Sequence, residues 1–195
     1  MTHQLSNRRD LIRLGGAMTL AVVAGGSGLM AASAADSDER KILGFALTLE
    51  RLQVSLYSAA EQRPYLTGEL AEYVRVVSGH ERAHVALLEN LLGPAAPPKP
   101  QLDLTAALAD ADAFMKAAAA VEDVGVAAYD GQMPRLSRAG LAATSEIVSV
   151  EARHAAWIRD LAGLVPAPQA ADSPLAPSAV RTRLQAAGIH IEEAS

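Results

Sequence analysis

The sequence predicts an all-α protein built as a four-helix bundle with a short C-terminal helix. Three observations lead there. Helix-forming residues dominate while aromatic residues make up only 4% of the chain. Four long segments carry apolar residues at spacings of three and four, the period of a helix with one buried face. Prolines punctuate the chain between those segments and none falls inside them.

The first segment covers about 37–60 and ends before Pro64, with Leu43, Leu47, Glu50, Val54 and Tyr57 on one face. The second runs over about 67–92, is stopped by Gly93-Pro94, and aligns Val74, Val77, Glu81, His84, Leu88 and Leu91. The third aligns Met115, Ala119, Glu122, Val126 and Tyr129 and is broken by Gly131 and Pro134 after Asp130. The fourth covers about 137–164, ends at Pro166, and aligns Ile147, Glu151, His154, Ile158 and Leu161. No alternating β-branched run stands out.

The connection after the second helix is long and holds Pro94, Pro97, Pro98 and Pro100. Such a segment is extended, rising about 3.1 Å per residue. In an up-down-down-up bundle the second and third helices run parallel, so this crossover must travel the bundle's length. A third helix starting at Leu104 would ask for roughly 43 Å from a segment that reaches about 35 Å. Starting it at Asp110, as an N-cap, shortens the span to about 34 Å, which the longer segment covers easily. The third helix therefore begins near Asp110, with 104–109 as a separate turn.

Residues 1–34 read as an export signal: Arg8, Arg9 and Arg13, then an apolar stretch from Leu14 to Met30, then Ala32-Ser33-Ala34. The stretch is too short and glycine-rich for a membrane span. Arg8-Arg9 followed by Asp10-Leu11-Ile12 looks like a twin-arginine signal, with Asn7 where a serine or threonine is usual; an ordinary secretory signal is the alternative. A periplasmic or secreted location is expected. The expected division is 1–34 signal, 35–165 bundle and 166–195 a proline-rich tail holding a short helix near 178–187, which could dock on the bundle, mediate homo-oligomer assembly or stay loose.

Removing the signal takes three of 17 basic and one of 22 acidic residues, leaving a net charge of −7. That disfavours nucleic acid and anionic membranes as partners. There is no cysteine, so any metal must be held by carboxylates and imidazoles.

In every stripe an ionisable residue sits where an apolar one is expected: Glu50, Glu81-x-x-His84, Glu122 and Glu151-x-x-His154. Residues at i and i+3 share a helix face, so each Glu-x-x-His pair can offer an oxygen and a nitrogen to one ion. The set also repeats. Glu50 and Tyr57 shift by 72 positions onto Glu122 and Tyr129, and Glu81 and His84 by 70 onto Glu151 and His154. One buried glutamate is ordinarily a register slip or a solvated edge. Four carboxylates on matching core positions would repel at several kcal/mol each unless cations compensate them. Two metal ions between the six side chains are expected.

The segments Ala46-Leu47-Thr48-Leu49-Glu50, Val121 to Tyr129 and Val150 to Trp157 resemble the ferritin-like proteins that include the desiccation-related group, over about 41–164. That family's arrangement is two lone glutamates and two Glu-x-x-His pairs projecting into a bundle core. The resemblance implies Glu81 and Glu151 as bridging ligands, Glu50 and Glu122 as terminal carboxylates, and His84 and His154 as ligands of one ion each. It implies a di-iron oxidoreductase that oxidises Fe(II) or reduces O2 or peroxide in stress protection. A di-manganese catalase-like enzyme and a non-catalytic metal-binding stress protein remain alternatives, because hard oxygen and imidazole donors suit iron and manganese alike. A storage shell does not follow.

Other polar, aromatic and glycine residues lie beside this set. His80 points about 100° from Glu81 and reads as exposed or as a neighbour of the ligands. Tyr57 and Tyr129 could bond ligand carboxylates or donate electrons, against a plain core role; Trp157 reads as packing. Gly125 could admit a close neighbour or a small oxidant, or simply pack.

Overall fold

A computed structural model describes residues 37–192; the expected export signal lies outside the described residues. Four long helices follow in order, α1 (Ser37–Ala60), α2 (Gly68–Leu92), α3 (Ala111–Gln132) and α4 (Arg138–Leu161), then a shorter α5 (Pro177–Ala186). Local chemistry sets the ends. Asp110 caps α3, its side chain accepting from the Ala113 N–H at 2.8 Å, as the span argument requires. Ser137 caps α4 by accepting from Gly140 N–H. The fourth helix stops three residues before the expected 164: Gly163 takes a left-handed φ of 69°, and Leu164 N–H bonds back to the Arg159 carbonyl. That is a Schellman-type closure, which glycine accommodates without a Cβ penalty.

Side-chain pairings give the topology. Tyr57 meets Glu122 while Tyr129 meets Glu50, so α1 and α3 run antiparallel. Glu69 meets Trp157 and His80 meets His154, so α2 and α4 do too. Arg51 meets Glu89 while Arg82 meets Glu61, making α1 and α2 an antiparallel hairpin. The result is up-down-down-up, with α2 and α3 parallel. The crossover between them passes over α1, where Pro97 packs near Gly44 and its carbonyl accepts from the Arg51 guanidinium. Among the described residues no helix is long and apolar enough to cross a membrane.

The tail brings one feature that was not expected and settles another. The crossover contains a short strand, β1 (Gln101–Asp103), paired antiparallel with β2 (His190–Glu192) at the far end of the tail. Of the outcomes left open for the tail helix, docking on the bundle is the one seen: Val180, Leu184 and Ile189 are buried in the same cluster as Leu56, Phe114 and Ile158. At Gly131 an added Cβ would fall 2.2 Å from the Leu175 carbonyl oxygen, so the tail lies directly on the α3 backbone there. Four stripe members are not fully buried: Leu91 is exposed, and Val54, Met115 and Leu161 are half-buried. Leu92 is buried in place of Leu91, because a step of four from Leu88 tracks the helix face. Near Val54, Leu52, Gln53 and Leu56 are buried.

The core forms two apolar clusters. One gathers Leu52, Leu56, Tyr73, Val77 and Phe114, and the other Leu43, Leu47, Leu88 and Ile147. Between them lies a buried polar layer.

Candidate metal centre

That layer holds all six residues singled out by the sequence. Glu50, Glu81, Glu122 and Glu151 have no solvent exposure, and His154 and His84 show only 3% and 8%. Each helix contributes at its middle, so four facing stripes deliver their polar members to one level.

The donors fall into two groups, Glu50–Glu81–His84–Glu151 and Glu81–Glu122–Glu151–His154, and within each the ligand atoms lie within 4.8 Å of one another. Glu81 and Glu151 belong to both. His84 Nδ1 stands 3.1 Å from Glu151, 3.2 Å from Glu81 and 3.3 Å from Glu50. His154 Nδ1 stands 3.0 Å from Glu81 and 3.6 Å from Glu122 and Glu151.

Among the described residues, three inward-facing atoms, Glu81 Oε1, Glu151 Oε1 and His154 Nδ1, have no partner with hydrogen-bond geometry despite these short separations. Buried atoms of this kind are expensive unless satisfied. Their placement, with both shared carboxylates represented, fits a pair of cations, and hard oxygen with imidazole donors is the chemistry of iron, manganese and zinc.

Without cations the charge is balanced by protons. Burial pushes Glu50 well above the ordinary carboxylate range, and the charges of Glu151 and Glu81 add to it against the bond to His84. Burial and then Glu151 raise Glu122 to about 7. Burial would lower both imidazoles, yet the surrounding carboxylates prevail and push His84 and His154 up to about 12. Glu151 goes the other way: burial opposes it, but the two imidazoles and Gln53 hold it down at about 2.

A ring of donors surrounds the carboxylates. Tyr129 Oη donates to Glu50 at 2.5 Å, and Tyr57 donates to Glu122, so each hairpin's tyrosine serves the other hairpin's glutamate. Of the readings left open for these tyrosines, bonding to carboxylates is the one seen. Burial raises both phenols well above 10, which keeps them protonated. Gln53 and Tyr73 were not anticipated, while His80 is both exposed and a neighbour of a ligand, the two readings left open for it. Gln53 Nε2 donates to Glu151 Oε2 at 2.9 Å, and Tyr73 Oη lies 2.9 Å from Tyr57 Oη. Gln53 sits one turn after Glu50, a signal that periodicity could have shown. Its counterpart in the repeat is Gly125, where an added Cβ would stand 3.2 Å from Glu151 Oε2. Gly125 thus makes room for a carboxylate.

His80 is exposed, yet its Nδ1 lies 2.9 Å from His154 Nε2. Trp157 packs edge-on against Tyr73, with ring centroids 5.3 Å apart. His80, His84, His154 and Trp157 line an open cleft of about 380 Å³ on this side of the bundle.

A crossover bundle with two carboxylate–imidazole groups sharing two glutamates defines a helical protein whose core is compatible with a dinuclear metal site. The ferritin-like domain family matches residues 38–164, and the chain belongs to that family. Comparison with curated proteins returns no match.

Proposed function

We propose that this protein is an exported dinuclear metal protein that uses iron to oxidise Fe(II) at the expense of O2 or peroxide, in protection against oxidative stress. The observation that carries the reading is the pair of four-donor groups sharing Glu81 and Glu151, with unpartnered atoms facing inward. Glu81 and Glu151 would be shared by two ions, Glu50 and His84 would hold one of them, and Glu122 and His154 the other. Iron bound there supplies electrons to a small oxidant. Anionic oxygen ligands favour the more oxidised ion, and the imidazoles fix the direction of approach. Tyr57, Tyr129 and Gln53 hold the carboxylates against rotation. The cleft beside His84 and His154 offers small solutes a way in.

Purified protein given Fe(II) in air is expected to oxidise it rapidly, with the rate lost in Glu81→Ala and in Glu151→Ala. Unchanged rates in both variants would remove the proposal. Metal analysis of protein purified from its native host, paired with a catalase assay, separates iron from manganese: manganese with peroxide disproportionation would replace the iron reading. Ions bound with neither turnover would leave a stabilising role. Export through the twin-arginine route belongs to the same proposal. Replacing Arg8 and Arg9 by lysine should retain the protein inside the cell, and normal export of that variant would reject this route.

A further inference from the structure

The two halves of the centre are related by the internal repeat, so a position where the halves differ can make the two ions unequal. His80 is such a position. It immediately precedes Glu81, and the residue that immediately precedes Glu151 is Val150. Valine has no polar group to offer. His80 Nδ1 lies 2.9 Å from Nε2 of His154, and the two rings are 15° from coplanar with centroids 5.1 Å apart. A near-planar pair at that separation, with facing nitrogens in contact, is an edge-to-edge imidazole–imidazole hydrogen bond.

His154 turns its Nδ1 toward Glu81, Glu122 and Glu151. For that nitrogen to give a lone pair to an ion, the ring's proton must sit on Nε2. An imidazole that donates its second N–H to a fixed acceptor is oriented, locked in one tautomer and made a better ligand. His80 Nδ1 stands where that acceptor is needed. Among the described residues His84 has no such partner at its outer nitrogen, although its Nδ1 meets a similar set of carboxylates.

We propose that His80 is a positioning residue that holds His154 with its Nε2 protonated and its Nδ1 aimed inward, so that the Glu122–His154 position binds its ion before the Glu50–His84 position. This rests on the dinuclear reading above. It also makes the Glu50–His84 position the one that exchanges, through the open cleft that both imidazoles line.

The test combines a readout without metal and one with it. In metal-free protein, nitrogen-15 NMR should show a hydrogen-bonded, slowly exchanging Nε2–H for His154. His80→Val should lose this signal, and His80→Asn, whose Oδ1 can stand near the place of Nδ1, should keep it. Calorimetric titration with Zn(II) should give two resolved steps in wild type. His80→Val should weaken the first step by about 10- to 100-fold, and His80→Asn should largely restore it. The signal surviving in His80→Val, or its first step unchanged, would overturn the proposal. Zn(II) entering wild type in one unresolved step, with the His154 N–H intact, would overturn the loading order alone. Wild type taking up no ion would overturn the dinuclear reading itself, and the loading order with it.

Discussion

Metal entry should expel protons, and the number follows from the buried layer. In the metal-free protein His84 and His154, both pushed up to about 12, carry their protons throughout pH 6 to 8. Each must lose one to offer Nδ1 to an ion. Glu151, held at about 2, is already ionised and releases none. Glu122, near 7, is half protonated at neutrality and adds a further proton as the pH falls. Glu50, raised by burial, contributes in the same direction. A raised value means the proton is held below it, so metal and proton compete and binding strengthens as pH rises. Each displaced proton multiplies the binding constant by about ten per pH unit. With at least two displaced, the overall constant for the ion pair should rise about 100-fold per unit, or about tenfold per ion. Titrating Mn(II) at pH 7 into protein in buffers of different ionisation heat counts the protons directly. A count below one per pair of ions, or affinity flat between pH 6 and 8, would refute the proton-balanced account of the layer.

Gly125→Ala sets helix propensity against crowding of Glu151. Alanine favours the helix by about 1 kcal/mol, while its Cβ would press on a carboxylate at 3.2 Å; thermal unfolding of the metal-free protein should change little or improve, and Mn(II) affinity should fall about tenfold. Gly131→Ala gives the opposite balance, because the added atom meets the Leu175 backbone at 2.2 Å and a backbone cannot rotate away. Its melting temperature should fall despite the better helix former, and limited proteolysis should cut the tail sooner. Tyr57→Phe removes the donor to Glu122 and a partner of Tyr73; calorimetry should show Mn(II) affinity reduced by about tenfold or more. Asp110→Ala removes the α3 cap at a cost of about 1 kcal/mol, and the unfolding midpoint should drop by about 2–4 °C.

What could be read without coordinates was what a single helix encodes. The stripes placed six ionisable residues in the core because burial follows from periodicity within one segment. The start of α3 at Asp110 came from reach, since a proline-rich crossover can span only so far. Tyr73, the partner of His80 and the tail strand eluded that reading for a shared reason. Whether Tyr73 reaches Tyr57, or His80 reaches His154, depends on how far one helix slides along another, and nothing in a single stripe records that distance. The pairing of Leu102 with Ile191 joins residues far apart in the chain across only three positions per strand, too few for a pattern to announce. Leu91 erred differently: steps of three and of four both look helical, and only the packed face chose Leu92.

The exchange of hydroxyls between hairpins has a structural corollary. A hairpin standing alone would carry a glutamate with no phenol to steady it and a phenol with no glutamate to serve. It would hold one Glu-x-x-His pair and lack the second shared carboxylate. Such a half could complete itself only by meeting another of its kind, at a rate and strength set by concentration. The proline-rich crossover turns that meeting into an event within one chain, independent of dilution. The molecule therefore behaves as a tethered pair of halves, and once tethered the two were free to diverge, glutamine facing glycine and histidine standing where its twin has valine.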